Sequence, residues 1–194
     1  MIERKRLCSL VFSLLFCSYA ASSQNISVRL QSLKLQSIDG STFLFSEIKN
    51  NKASVILFLS PDCPLCQNYV LTIKQMQEEF EKTGIQFYGI FPGTWYKVEE
   101  VRKFKSDYSL NINMLLDIDK ELTHLLKASV TPEVVVLNKE EKIIYQGRID
   151  NWMYTAGKKR TVITKHELKD ALDAVVNNKT ITITKTEPVG CLIE

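Results

Sequence analysis

Histidine is nearly missing from this chain of 194 residues, which has only His124 and His166. A metal centre built on imidazole would therefore have few donors to draw on. Glycine and proline are also sparse, at seven and five, which excludes a collagen-like repeat or a Gly/Pro-rich low-complexity tract. Neither sign of charge dominates. The formal net charge is +3, and most of it comes from the basic cluster Arg4, Lys5 and Arg6. That balance gives no reason to expect nucleic acid or a strongly acidic partner. No long hydrophobic run is present either, since a membrane helix needs roughly 20 apolar residues.

The most apolar stretch near the start, "LCSLVFSLLFC", follows "ERKR" and precedes "SYAASSQ". Basic, apolar and small-residue regions in this order are those of a secretory signal peptide. It is expected over residues 1–23, with Ser18 and Ala20 placed for a cut after Ala20 or slightly later. The mature chain is then exported, periplasmic or secreted, with no transmembrane segment. Lipid attachment at Cys17 is the rival reading, and the bulky Phe16 before it is a poor fit. Removal of the leader takes Cys8 and Cys17 with it and leaves Cys63, Cys66 and Cys191. In an exported protein disulfides persist, so an odd count means one thiol that is free or exchanging.

Along the chain, residues 24–32 read as a polar lead-in. Two part-alternating runs in "LKLQSIDGSTFLFSEI" meet at Asp39-Gly40, a hairpin signal because such a turn needs positive φ. "SVILFLS" and "IQFYGIF" are continuous apolar runs of strand length, the pattern of strands buried on both faces. Between them Val70, Ile73, Met76 and Phe80 recur at helical spacing up to Gly84. Val98, Val101, Phe104 and Tyr108 mark a second helix, and Leu122, Leu125 and Leu126 a short third one. "INMLLDI", "EVVVLN" and "KIIYQGRI" read as strands. Thr164 and Glu167 have capping-box spacing ahead of a last helix, and Arg148 with Asp150 reads as a structural ion pair. This alternation implies a central, largely parallel sheet with helices on its faces.

The motif that carries chemistry is "SPDCPLC" at residues 60–66, at the point where a buried strand hands over to a helix. A thiolate performs disulfide exchange, and the free N–H groups and dipole of a helix N-terminus stabilise it. Pro64 suits the first turn, where its missing N–H has no partner to lose. Cys66 lies one turn further in, so the pair suits an attacking sulfur, Cys63, and a resolving sulfur, Cys66. Asp62 opposes the thiolate of Cys63. Other uses of the pair fare worse. Haem attachment needs histidine at residue 67, which is Gln67. A zinc site needs four ligands, and only Cys191, His124 and His166 remain, all distant in sequence. An inert structural disulfide stays open, although so short a loop stabilises little.

"FLSPDCPLC" followed by "VTPEVVVLNKEEKIIYQGRID" resembles the thioredoxin superfamily, in its redoxin or thiol-specific-antioxidant-like (peroxiredoxin-like) branch. The final "VGCLI" resembles exported redoxin-like proteins with a terminal Gly-Cys. The resemblance implies an α/β, thioredoxin-like fold: a central mixed sheet flanked by helices, with an N-terminal β-hairpin. It divides the chain into a redoxin domain over 28–184 and a tail, 185–194, carrying Cys191. It further implies that Pro132 is cis and that Thr131 and Pro132 shape a substrate groove facing Cys63 and Cys66. The implied activity is thiol–disulfide exchange with a protein or small-molecule thiol or disulfide partner, with no metal and no organic cofactor. A peroxidase and a redox-inert binding module are the alternatives.

The sequence departs from the family pattern at two positions. Asp62 stands where tryptophan is common, and Leu57 where a buried acid usually serves the buried thiol. Glu133 reads as an exposed edge residue. Cys191 stands as a possible third redox thiol, which a tail containing Pro188 and Gly190 could carry to Cys63; an inert thiol or a bond to another chain are equal alternatives.

Overall fold

The computed structural model describes residues 26–155 and 157–194. The leader expected over residues 1–23, with Cys8 and Cys17, lies outside the described residues. The strands are β1 (Lys34–Ser37), β2 (Thr42–Leu44), β3 (Ala53–Phe58), β4 (Ile85–Pro92), β5 (Asn113–Asp117), β6 (Val130–Thr131), β7 (Glu133–Asn138), β8 (Ile143–Gly147), β9 (Met153–Thr155), β10 (Lys158–Lys159) and β11 (Cys191–Leu192). The helices are α1 (26–32), α2 (Pro64–Phe80), α3 (Val98–Asp107), α4 (Glu121–Leu126) and α5 (Glu167–Val176).

Seven strands form the main sheet in the order β2-β1-β5-β4-β3-β7-β8. Only β3, β4 and β5 run parallel to one another; every other pairing is antiparallel. The sheet is thus mixed, as the resemblance implies. The largely parallel sheet inferred from the alternation holds only for its middle. The reason is connection length: the β1–β2 and β7–β8 links are tight turns, and a tight turn can join only antiparallel strands.

The apolar runs are buried on both faces. Val55, Leu57, Val134 and Val136 point to one core, under α2, α3 and α5. Their neighbours Ile56, Phe58, Val135 and Leu137 point to a second core, against α1, α4 and the turn at Phe45–Asn50. Each such fully buried side chain stabilises the fold by about 1.5–3 kcal/mol relative to exposure. Asp39-Gly40 makes the expected turn, with Gly40 at φ +93. Helix α2 buries Val70, Ile73, Met76 and Phe80, and Gly84 stops the segment in the left-handed region.

Three local expectations are corrected. Residues 26–32 are helical rather than a lead-in, because Ile26, Leu30 and Leu33 fall at helical spacing on the second core. Thr164 does not cap α5: its hydroxyl bonds the Asn151 amide at 2.8 Å, and His166 takes the N-cap position. Arg148 and Asp150 do not pair. Arg148 pairs with Glu167, while Asp150 accepts from the Tyr69 hydroxyl at 2.7 Å and from the Trp152 backbone N–H at 2.8 Å. The chain turns between β8 and residue 150, which sends the two side chains to different partners.

Candidate active site

Strand β3 delivers the chain to Ser60, and Cys63 becomes the N-cap of α2 with Pro64 at its first position. No acidic residue lies in that first turn; Asp62, just ahead of the N-cap, is the carboxylate that works against the positive end of the helix dipole. Facing Cys63 is the loop between β6 and β7, with a cis peptide at Thr131-Pro132. The Cys63 sulfur lies 3.2 Å from the Thr131 carbonyl oxygen, a contact in which the free thiol would be the donor.

The sulfur is bonded to Cys191 and not to Cys66. The two cysteines are 128 residues apart in sequence and 6.3 Å apart at Cα. The tail reaches Cys63 along a defined path. Thr184 and Thr186 exchange backbone hydrogen bonds with Gln146 of β8, each at 2.9 Å. Then β11 pairs antiparallel with β6, setting Cys191 opposite Thr131 and Leu192 opposite Val130. The Ile193 N–H donates to the Ser129 carbonyl at 3.0 Å, and the Lys120 ammonium donates to the Glu194 carbonyl oxygen.

Cys66 is the free cysteine among the described residues, and it is fully buried. Burial pushes its thiol up to about 12, against weaker opposing hydrogen bonds from the Ser60 backbone and the Thr131 side chain. Reduced protein at pH 8 is therefore expected to alkylate at Cys63 and Cys191 while Cys66 reacts about a thousandfold more slowly, in proportion to its thiolate fraction. Mass mapping after timed iodoacetamide treatment measures this. The sign of the linked stability effect follows from the raised value. The unfolded thiol ionises from about pH 9 and the folded one only near pH 12, so stability is full below pH 9 and falls as pH climbs through that interval.

Polar groups frame the mouth of the site. The Ser60 hydroxyl donates to Asp62 and accepts from the Tyr96 hydroxyl at 2.8 Å. Asp62 is thus engaged one residue from Cys63 and remains exposed. Trp95 is 67% exposed at the rim. The cleft of ≈ 340 Å³ between Trp95, Tyr96, Asp62 and residues 191–194 opens directly onto the Cys63–Cys191 bond. Trp152 lies elsewhere, edge-to-face on Tyr69 at 5.5 Å.

Sequence reasoning placed Cys63, Cys66, Thr131 and Pro132 in one neighbourhood and left Cys191 open between joining them and standing apart; the structure sets Cys191 beside Cys63. It missed Tyr96, which lies in a turn-rich segment without a motif. It also misread Glu133, which is 3% exposed. Its carboxylate accepts from the Ser129 N–H and the Gln146 amide, each at 2.9 Å. Glu133 thereby fixes the strand edge on which the tail lies. The signal for it was the flanking apolar run "VVVL", which buries the start of β7 along with the rest. Leu57 is fully buried in the first core, so no carboxylate stands under Cys66 from that position.

The fold and the site define an α/β protein of thioredoxin-like architecture. The chain belongs to the AhpC/TSA family, which matches it over residues 26–146. Among solved structures, a hypothetical protein from Sinorhizobium meliloti is similar at 22% identity and TM-score 0.74, covering 83% of this chain and 89% of that one. An uncharacterized conserved protein from Geobacillus kaustophilus is similar at 21% identity and TM-score 0.75, covering 84% and 89%. A secreted Mycobacterium tuberculosis disulfide oxidoreductase homologous to E. coli DsbE is similar at 21% identity and TM-score 0.55, covering 77% and 97%. Among curated proteins, none matches the sequence.

Proposed function

We propose that this chain is an exported thiol–disulfide oxidoreductase that exchanges disulfides with a protein or small-thiol partner. The observation that carries the reading is the position of Cys63, at the head of α2 against Thr131-Pro132 and bonded to a cysteine 128 residues away. Membership of a redoxin family and a secreted disulfide oxidoreductase among the structural relatives support it. So does the leader expected from the sequence.

Cys63 is the exchanging sulfur. As a thiolate it attacks one sulfur of a partner disulfide, giving a mixed disulfide and releasing the first partner thiolate. A second internal thiolate then attacks the Cys63 sulfur and releases the other partner thiolate. The partner gains two electrons and the chain keeps the disulfide. Cys191 and Cys66 are the two resolving candidates. Cys191 is the faster, because Cys66 ionises so reluctantly in its buried position. No metal or organic cofactor takes part in this exchange.

Peptide mapping across a graded glutathione buffer tests the reading. Cys63 should appear in every disulfide observed, with Cys63–Cys191 exceeding Cys63–Cys66. A Cys63–Cys191 bond that survives strong thiol reductants in the folded protein would sink it.

A further inference from the structure

The tail meets β6 under an unusual steric condition. A Cβ placed on Gly190 would fall 2.3 Å from the Thr131 carbonyl oxygen, 2.7 Å from its carbonyl carbon and 3.1 Å from its backbone nitrogen. All three are main-chain atoms, held in a strand edge that Glu133 fixes from below, so no flexible side chain can yield. Two constraints set the register: the antiparallel pairing of Cys191 with Thr131 and the covalent bond of Cys191 to Cys63. Any extended segment that meets both puts its preceding residue onto the Thr131 carbonyl. The position after the cysteine is open, since Leu192 is 80% exposed. The next one, Ile193, packs partly against the second core.

We propose that the groove beside Cys63 takes, from a second polypeptide, an extended segment in which glycine immediately precedes the reactive cysteine. Residues 190–193 are the resident occupant of that subsite. The inference rests on the thiol–disulfide reading and adds the class of partner. The incoming segment pairs with residues 129–131 in place of the tail, a strand-addition mode in which the main chain supplies affinity. Its thiolate attacks the Cys63 sulfur, and the Cys63–Cys191 bond breaks. Cys191 leaves as a thiolate and takes a proton from water. One disulfide replaces another, so no external oxidant is required.

The experiment challenges oxidised protein with two blocked pentapeptides, Val-Gly-Cys-Leu-Ile and Val-Ala-Cys-Leu-Ile, and with glutathione, which cannot lay down a strand. Mixed disulfides with Cys63 are counted by mass spectrometry after acid quenching. The glycine peptide is expected to reach about tenfold more mixed disulfide at equilibrium than the alanine peptide, the usual scale of an overpacked contact. In the full chain, Gly190→Ala should weaken Cys63–Cys191 relative to Cys63–Cys66 by a similar factor. Thermal unfolding of the reduced variant verifies that its fold is intact. Equal yields from the two peptides, with glutathione also opening the bond, overturn the glycine subsite and leave the redox reading standing. A bond that none of the three thiols opens overturns both. A covalent dimer linked from Cys63 of one copy to Cys191 of another assigns the groove to a second copy and overturns the partner proposed.

Discussion

Reducing the Cys63–Cys191 bond is expected to lower the unfolding free energy by about 4 kcal/mol. The bond closes a loop of 128 residues, and a cross-link over so long a stretch removes much of the unfolded chain's freedom. For a chain of this size such a loss corresponds to a fall in Tm of about 8–16 °C. Urea titrations with and without a phosphine reductant measure it directly. The Cys191→Ser variant should show most of the same loss and respond little to reductant, because a Cys63–Cys66 bond closes only a few residues. A reduced protein as stable as the oxidised one would mean that the unfolded state is already compact, or that the bond strains the fold by as much as it stabilises it.

The second large effect is on activity. Cys63→Ser is expected to bring reduction of a protein disulfide such as that of insulin down to the uncatalysed rate. A hydroxyl at the head of α2 does not ionise near neutral pH and forms no bond to sulfur comparable to a disulfide, so neither Cys66 nor Cys191 has anything to resolve. Cys191→Ser should slow turnover while leaving it measurable, with the disulfide migrating to Cys63–Cys66. Cys66→Ser should change turnover least. If Cys66→Ser were the more damaging of the two, the order of resolving thiols given above would be reversed. Peroxide consumption measured on the same three variants separates the peroxidase alternative. A peroxidase would lose peroxide turnover with Cys63→Ser while the wild type stays inert towards insulin.

Much of this was legible because the strands are buried on both faces. "SVILFLS", "IQFYGIF" and "EVVVLN" carry continuous apolar runs that leave little choice of placement, and Cys63 follows the first of them at a turn that Pro64 fixes. Misreadings arose where a residue's surroundings come from distant chain. The run after Glu133 signals its burial, but its bond to Gln146 forms only when β8 folds back along β7. Arg148 finds Glu167 only once α5 packs back on the sheet. Cys191 could be assigned to a tail, yet its bond to Cys63 depends on the pairing of β11 with β6, two strands of two residues each whose pattern is too short to read. The buried strands and helices therefore followed from local patterning and the mixed, thioredoxin-like sheet from the family resemblance, while the choice between Cys66 and Cys191 as the partner of Cys63 is a tertiary fact.

The tail does more than close on Cys63. Between Thr184 and Thr186 it lies along the outer rim of the seven-stranded sheet, occupying the outward donor and acceptor of Gln146. A free rim of this kind is a template onto which other chains add. The Thr186 hydroxyl adds bonds to the Tyr145 hydroxyl and the Arg148 N–H, so the cover over β8 is held by its own hydrogen bonds and does not depend on the sulfur linkage at Cys191 alone.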